Sequence, residues 1–331
     1  SDIEAQIAAN AAGSHVLQKL VDEYGEDVVK AYSGYLLDNG EQLVKKAIHS
    51  LSDSNFEVQM DGGAVICVSI SINRTERLAK IDFAGTSRQQ ANNLNAPVAV
   101  TKAAVLYVFR TLIDDDIPLN SGCMRPLEIL IPEGSMLSPQ YPAPVAAGNV
   151  ETSQNIVDCL FGALGILAAG QGTMNNLTFG DGVHQYYETI CGGCGAGKTF
   201  DGASAVHCHM TNSRITDPEV LEWRFPVVLE EFCIRANSGG AGKHRGGDGV
   251  RRVIRMLKDM TASILSGRRE VSPFGIAGGQ PGAKGENTLQ KTDGEKIKLP
   301  SRTQIDLSPG DRIIIETPGG GGYGEPLRGN Q

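Results

Sequence analysis

The sequence lacks an excess of positive charge and lacks long apolar runs. It has 30 lysine and arginine residues against 38 aspartate and glutamate residues, which gives a net charge of -8 at pH 7. Binding to a nucleic-acid backbone or an anionic membrane surface requires surplus basic side chains, so we expect neither partner. No apolar run approaches the roughly 18 residues of a membrane-spanning helix. We therefore expect no membrane span.

Cysteine is also scarce, with seven residues in a chain of 331. An odd number at this low density, with no signal-like segment before it, argues against a disulfide framework. We therefore expect free thiols in a reducing compartment, and we predict a cytoplasmic protein.

Glycine, by contrast, is abundant and unevenly placed. Of the 41 glycines, 13 lie in residues 1–170 and 28 lie in residues 171–331. Glycine permits positive φ angles and close approach of backbones. We interpret the clusters at residues 238–240, 245–249 and 317–324 as β-turns and bulges, which makes the second half rich in strands and loops.

Hydrophobic periodicity predicts an α+β fold with N-terminal helices, a mixed central region and a β-rich, glycine-rich C-terminal lobe. Predicted helices cover residues 2–24, 26–48, 97–112 and 151–170, with a break at 38–40 and a cap at Thr152 or Ser153. Predicted strands cover residues 56–60, 65–72, 78–83, 127–131, 186–190, 206–210, 227–234, 250–257, 261–265, 304–307 and 312–316. We expect a boundary between a mixed α+β core (1–225) and a β-rich lobe (226–331).

Residues 192–199 match the spacing G-x-x-x-x-G-K-[ST] of a phosphate-binding loop. That loop works because the glycines lead into a helix whose N-terminal amides face the phosphates. Residues 200–204 do not begin a helix of useful length, so we expect no nucleotide site here.

A cysteine and histidine group could supply zinc ligands. Its members are Cys191, Cys194, His207, Cys208 and His209. Consecutive strand residues point to opposite faces, so His207 and His209 can share a site that excludes Cys208. We favour these two histidines as polar site residues over structural zinc, and the alternative is two hydrogen-bonded histidines in a strand.

An uncharged polar group lies between these motifs. It comprises Gln171, Asn175, Asn176, Thr178, Tyr186, Tyr187, Glu188, Thr211, Asn212 and Arg214. Amides, one carboxylate and one arginine suit a small polar substrate, because arginine binds a carboxylate and glutamate moves protons. Turn chemistry is the alternative, since asparagine, threonine and glycine are turn residues.

Long sequence words make this chain resemble the hydantoinase B/oxoprolinase family, nearest to its bacterial-type 5-oxoprolinases. These words are QGTMNNLTFG (171–180), YYETI (186–190), HMTNSRITDPE (209–219) and TPGGGGYG (317–324). Shorter ones are DIEAQIAAN (2–10), DFAGTS (82–87), IPLNSGC (117–123), GNVETSQ (148–154) and SGGAGKHRGGDGV (238–250). The resemblance covers essentially the whole chain.

The resemblance implies ATP-dependent opening of a cyclic amide, in which 5-oxo-L-proline, ATP and water give L-glutamate, ADP and phosphate. It places ATP and Mg²⁺ in a hydantoinase A-like partner subunit or domain, and it implies an oligomer. The full-length family pattern begins upstream, with segments that bind a divalent metal in related carboxylases. We therefore expect a fragment or split subunit that is inactive alone.

The resemblance also suggests roles for residues of this chain. Glu188 is expected to transfer protons, with His209 supporting the catalytic site. Arg214 is expected to bind the substrate carboxylate. The remaining polar contacts are assigned to Asn175, Asn176 and Asn212.

Three alternatives stay open. The substrate could be an N-methylhydantoin, or the chain could belong to an acetone or acetophenone carboxylase. From another class, it could be a non-catalytic scaffold that docks the ATPase partner.

Overall fold

The computed structural model describes residues 2–115 and 119–326. Contacts divide the chain into two units. The first comprises Ser1–Ser50, Asn73–Ala79 and Phe109–Glu128, and the second comprises Leu51–Ile72, Lys80–Val108 and Ile129–Gln331. Helices and antiparallel sheets confirm the α+β class. The sequence-based boundary at residue 225 stays a prediction.

Two long helices form most of the first unit. Helix α1 spans Asp2–Tyr24 and α2 spans Glu26–His49, and Gly25 between them has a φ of 84°. No described residue of α1 is buried. The expected break at 38–40 is wrong, because α2 continues through it. Gly40 is buried, and a Cβ there would lie only 2.9 Å from Asn120 Oδ1.

The three strands predicted at residues 56–60, 65–72 and 78–83 are confirmed. Strands β1 (Ser54–Gln59), β2 (Val65–Asn73), β3 (Leu78–Asp82) and β4 (Leu127–Leu130) form a sheet in that order. Helix α3 spans Val98–Thr111, also as predicted.

Helix α4, Ser153–Leu164, is preceded by a π-helical turn over Gly148–Thr152. The predicted cap is therefore wrong: the Thr152 hydroxyl donates instead to the Leu94 carbonyl. The helix also ends before residue 170, because Gly165 adopts the left-handed conformation with φ 68°. Residues 153–163 are all buried.

The rest of the second unit contains helix α5 and two further sheets. Their elements are β5 (Asn176–Gly180), β6 (Gln185–Glu188), α5 (Pro218–Arg224), β7 (Val227–Ile234), β8 (Val250–Met256), β9 (Met260–Leu265), β10 (Glu286–Gln290), β11 (Lys296–Leu299), β12 (Arg302–Leu307) and β13 (Arg312–Glu316). The sheet orders are β11-β10-β13-β8-β7 and β12-β9-β5-β6. Strands β5 and β9 pair across position 225. Apolar side chains of both sheets form one core.

The predicted strand at 206–210 is wrong. This segment is a loop, and His209 within it has a φ of 58°. Period-two reasoning about which face His207 and His209 share therefore does not apply.

The glycine cluster at 317–324 is an extended segment, where the sequence suggested turns and bulges. N–H groups three residues apart donate to the same neighbour, as the bonds from Gly319 and Gly322 to segment 280–283 show. Three residues per turn is the period of a polyproline II helix. Neighbouring backbones approach so closely that a Cβ on Gly320 would overlap the Cys194 carbonyl. Glycine is required here by packing.

Residues 192–197 belong to this packed glycine region. Gly193 donates its N–H to the Pro318 carbonyl, and a Cβ on it would overlap the backbone of Gly247. The following residues, 198–200, form bends and no helix, and Lys198 is exposed. This geometry agrees with our rejection of a nucleotide loop.

Candidate functional site

Glu188, the expected proton-transfer residue, lies in a buried ion pair. Its Oε1 is 2.8 Å from Nε of Arg252, and its Oε2 is 2.9 Å from Nη2. The Tyr186 hydroxyl donates a third hydrogen bond to Oε2 at 2.8 Å. Both charged side chains are about 1–2 % exposed. The surroundings of Glu188 are those of an internal structural link, and its catalytic role stays a prediction.

Asn175 is also enclosed by protein groups. Its Nδ2 donates to Gln171 Oε1 at 2.9 Å and to the Ile190 carbonyl at 3.1 Å. Its Oδ1 accepts from Nη1 of Arg269 at 2.8 Å. Both amide hydrogens are therefore used within the fold, and the substrate contact expected of Asn175 stays a prediction.

Asn176 connects a buried carboxyl group with a tyrosine. Its Nδ2 donates to Glu151 Oε1 at 2.9 Å and to the Leu265 carbonyl at 2.8 Å. Both partners are acceptors, so the amide orientation is determined by the network. Its Oδ1 then accepts the hydroxyl proton of Tyr187 at 2.8 Å. Thr178 of β5 pairs with Tyr187 of β6, which places Asn176 diagonally across from the tyrosine.

Glu151 stands at the far end of this connection, in the π-helical turn before α4. Its Oε1 also accepts from the Thr173 hydroxyl at 2.9 Å and the Met174 N–H at 3.2 Å. Its Oε2 has no partner among the described residues. Burial raises the pKa of Glu151 to about 8. The carboxyl group is therefore mainly protonated at pH 7.

Tyr187 opens onto a cavity of about 340 Å³. The lining residues are Val100, Ala103, Asn149, Val150, Ser153, Met174, Tyr187, Thr189, Met210, Thr211, Asn212 and Ser213. Asn212, an expected substrate contact, is therefore at the cavity and exposed. Arg214 is exposed but is not a lining residue.

Thr189 gives the cavity an unused polar group. The residue is 4 % exposed, and its hydroxyl has no hydrogen-bond partner among the described residues. A buried hydroxyl without a partner is costly, so a ligand that supplies one is favoured. Tyr187 is 54 % exposed, in contrast. The cavity thus combines one fully enclosed polar group and one accessible one.

His209 does not line this cavity and lies in an aromatic environment. Its Nδ1 is 3.3 Å from the Tyr107 hydroxyl, and its ring centroid is 5.4 Å from that of Phe161. Its Nε2 is 3.9 Å from Asp158 Oδ1, which is too far for a hydrogen bond. Burial lowers the pKa of His209 to about 4. The imidazole is therefore neutral at pH 7, and its supporting role stays a prediction.

Asp158, which lies beside His209, forms an ion pair with Arg268. Its Oδ2 is 2.9 Å from Nη2 of Arg268, and its Oδ1 accepts the Gly170 N–H at 3.0 Å. Burial nevertheless raises the pKa of Asp158 to about 6.

The described part of the chain contains no cluster of three or more His, Cys, Asp or Glu side chains suited to a metal ion. The described residues therefore do not form a zinc site. The divalent metal that the resemblance places upstream of this chain stays a prediction. All seven cysteines are free thiols. Over residues 2–115 and 119–326, no helix is long and apolar enough to cross a membrane.

The sequence profile of the hydantoinase B/oxoprolinase family matches residues 1–326. The chain belongs to this family. It is 46% identical to "5-oxoprolinase 1" of Arabidopsis thaliana over 99% of its length, and 44% identical to "5-oxoprolinase" of Dictyostelium discoideum over 98%. It spans only 27% and 26% of those two relatives, about a quarter of their length.

A solved structure supports the same assignment. The ATP-dependent caprolactamase from Pseudomonas jessenii aligns with a TM-score of 0.88 and 25% identity, over 99% of this chain and 61% of that chain. Nucleotide-free acetone carboxylase shares the fold, with a TM-score of 0.83 over 95% of this chain and 51% of that one.

Sequence reasoning did not identify Glu151 and Thr189 as functional residues, and it noted Tyr187 only as one of a polar group. Glu151 begins the predicted helix 151–170 in a run of polar residues, 151–155, so no local pattern distinguished it. The unpaired hydroxyl of Thr189 gave no signal, because it depends on the tertiary structure.

Proposed function

We propose that this protein is the hydantoinase B-type component of an ATP-dependent cyclic-amide hydrolase that converts 5-oxo-L-proline into L-glutamate. One observation carries the proposal: relatives named 5-oxoprolinase are 46% and 44% identical to this chain over nearly all of it. The chain spans about a quarter of those relatives, and we propose that the complete activity requires further polypeptide.

The cavity beside Tyr187 is the proposed substrate site. Its volume of about 340 Å³ is at the lower end of the range for small-molecule sites and suits a small cyclic amide. Hydroxyl and amide side chains at Ser153, Tyr187, Thr189 and Asn212 offer both donors and acceptors to the ring. Asn212 is exposed and lines the cavity where it meets solvent.

ATP and Mg²⁺ are assigned to a hydantoinase A-like partner. The phosphate-loop match at 192–199 is enclosed by other backbone segments and is not followed by a helix, so it does not fit a nucleotide. ATP in the partner supplies the phosphoryl group that activates an otherwise unreactive amide. The residues of this chain bind and orient the ring.

The test reconstitutes the complete B-type polypeptide with a hydantoinase A-like partner and measures glutamate release from 5-oxo-L-proline and ATP. Ala103→Trp places a large ring at the cavity, and we expect at least about a tenfold loss of kcat/KM. Lys102→Trp is the matched control, because Lys102 is exposed on the same helix but is not a lining residue.

Full activity of the Ala103→Trp variant would contradict the cavity assignment. Failure of the wild-type mixture to release glutamate would contradict the substrate assignment. In that case, N-methylhydantoin or caprolactam with ATP, and acetone or acetophenone with ATP and bicarbonate, test the remaining enzyme alternatives. Binding of the partner without any turnover would favour the docking scaffold.

A further inference from the structure

We propose that Tyr187 and Thr189 bind the two sides of the amide group of a lactam ring, and that Glu151 is a positioning residue that acts on Tyr187 through Asn176. This inference rests on the proposed function and specifies the chemistry of its site. Its ligand is a cyclic amide with a free N–H group.

The Tyr187 hydroxyl has a single proton. That proton is donated to Asn176 Oδ1 at 2.8 Å. A phenol has one donor hydrogen, so the Tyr187 oxygen can only accept a hydrogen bond from any further group. At the cavity, Tyr187 is therefore an acceptor suited to an N–H.

The direction of the hydrogen bond between Tyr187 and Asn176 is fixed by the other partners of Asn176. Asn176 would have to turn its NH₂ group toward Tyr187 to make the phenol an acceptor of that bond. Its Nδ2 is held by Glu151 Oε1 at 2.9 Å and the Leu265 carbonyl at 2.8 Å, and neither can donate from those atoms in this network. Glu151 Oε1 already accepts three hydrogen bonds. Through Asn176, Glu151 thus determines that the Tyr187 oxygen is a hydrogen-bond acceptor at the cavity.

The Thr189 hydroxyl is the proposed hydrogen-bond donor to the ligand. Thr189 follows Tyr187 by two residues, the spacing at which side chains of extended backbone share a face. Both residues line the cavity, and the buried Thr189 hydroxyl has no partner among the described residues. Its buried O–H lacks an acceptor among the described residues, and the carbonyl oxygen of a ring bound against it would supply one.

An acceptor and a donor on one face match a lactam. The ring holds the amide cis, so its N–H and C=O point to the same side, whereas an open-chain amide is trans and presents them on opposite sides. The pair therefore selects for a ring amide, and it disfavours an N-methylated ring that has no N–H to donate.

The experiment uses the complete B-type polypeptide with its ATPase partner. It measures calorimetric binding and kcat/KM for 5-oxo-L-proline and for its N-methyl derivative. We expect the wild type to prefer the N–H compound by about three- to tenfold, because only that compound donates a hydrogen bond to the accessible Tyr187 oxygen. Tyr187→Phe should reduce this preference to near unity. Tyr141→Phe, at a tyrosine that is 99 % exposed, is the matched control and should retain it.

Two further variants separate positioning from general stability. Glu151→Gln keeps an acceptor for Asn176 and should retain the preference for N–H, whereas Glu151→Leu should lose it as Tyr187→Phe does. Thr189→Val should weaken the binding of both compounds by a similar factor, since both have the carbonyl oxygen. KM should carry most of each loss, because these contacts already exist in the bound ground state.

The outcomes distinguish the two proposals. Normal turnover with an N–H preference that Tyr187→Phe does not change overturns this inference and leaves the proposed function standing. Loss of the preference in both Glu151→Gln and Glu151→Leu overturns the positioning role of Glu151. Absence of turnover and binding for 5-oxo-L-proline in the wild type overturns the proposed function together with this inference.

Discussion

Glu188 and Arg252 connect two sheets through a buried, bidentate ion pair. Glu188 is the last residue of β6, and Arg252 lies in β8 of the five-stranded sheet, with 2.8 and 2.9 Å between the paired atoms. The Arg252 guanidinium also stacks on Phe232, 5.0 Å from the ring centroid. Breaking such a pair from one side leaves a buried charge without a partner, which costs more than the pair contributes.

We predict that Glu188→Leu lowers the free energy of unfolding by about 3–5 kcal/mol, because Arg252 is left buried and unpaired. Glu188→Gln should cost less, since the amide oxygen still accepts one hydrogen bond. Chemical denaturation measures both. Glu231→Gln is the matched control: its pair with Arg251 is partly exposed, so a change of at most about 1 kcal/mol is expected.

The same variants test the catalytic role expected for Glu188. A structural ion pair predicts that Glu188→Gln keeps near-normal kcat per folded enzyme below its melting temperature. Complete loss of turnover with the fold and assembly intact would support proton transfer by Glu188 instead.

Glu151 makes stability fall as pH rises from about 4.5 to about 8. Its pKa in the folded protein is raised to about 8 from an ordinary value of 4.5, by burial. Between about pH 4.5 and 8, the folded state therefore holds a proton that the unfolded state has lost. The free energy of unfolding falls as pH rises through this range, by at most about 1.4 kcal/mol per pH unit. We predict that Glu151→Gln removes this dependence. Unfolding curves of both proteins from pH 5 to 9 measure it, and parallel curves would contradict the assignment.

How much of the fold could be predicted depended on local periodicity. The helices α1 and α3 and the strands β1 to β3 have clear patterns, and the structure confirms them. Strands β5, β10 and β11 were not predicted. Strand β11, Lys296–Leu299, is only four residues long and mostly exposed, so its alternation of lysine with Ile297 and Leu299 is too short to stand out. The glycine segment at 317–324 was misinterpreted because glycine has no side chain from which a period could be recognised.

The candidate site was predicted only in part, for a related reason. Asn212 lies at the cavity, as its residue type suggested. The roles of Glu188 and Asn175 depend on partners more than 60 residues away in sequence, such as Arg252 and Arg269, and no local pattern contains them. Burial and pairing are tertiary properties, and they determine whether a polar side chain faces a ligand or the protein.

His209 makes stability depend on pH on the acid side. Burial lowers its pKa to about 4 from 6.5, so the unfolded state binds a proton that the folded state does not, and stability falls as pH drops from 6.5 to 4. Asp158, which faces it, has a raised pKa and acts in the opposite direction below about pH 6. We predict that His209→Asn, which tolerates the positive φ, removes the loss attributable to His209, at most about 1.4 kcal/mol per pH unit.

Melting temperatures of the two proteins between pH 4 and 7 measure this effect. His15→Asn on α1 is the control, since His15 is exposed and should leave the acid-side profile unchanged. A wild-type profile that matches that of His209→Asn would show that His209 titrates normally.

The glycine segment should tolerate no side chain at its centre. A Cβ on Gly320 would overlap the Cys194 carbonyl, and the overlapping atoms on both sides are backbone, which cannot move aside as a flexible side chain can. We predict that Gly320→Ala lowers the free energy of unfolding by at least about 3 kcal/mol or prevents folding. Gly13→Ala is the matched control. Gly13 lies inside α1, and a Cβ on it would have no neighbouring atom within 4 Å, so alanine should stabilise the helix by about 0.5–1 kcal/mol. Denaturation of the two variants measures the difference in sign, and a Gly320→Ala protein as stable as the wild type would contradict the close packing of these backbones.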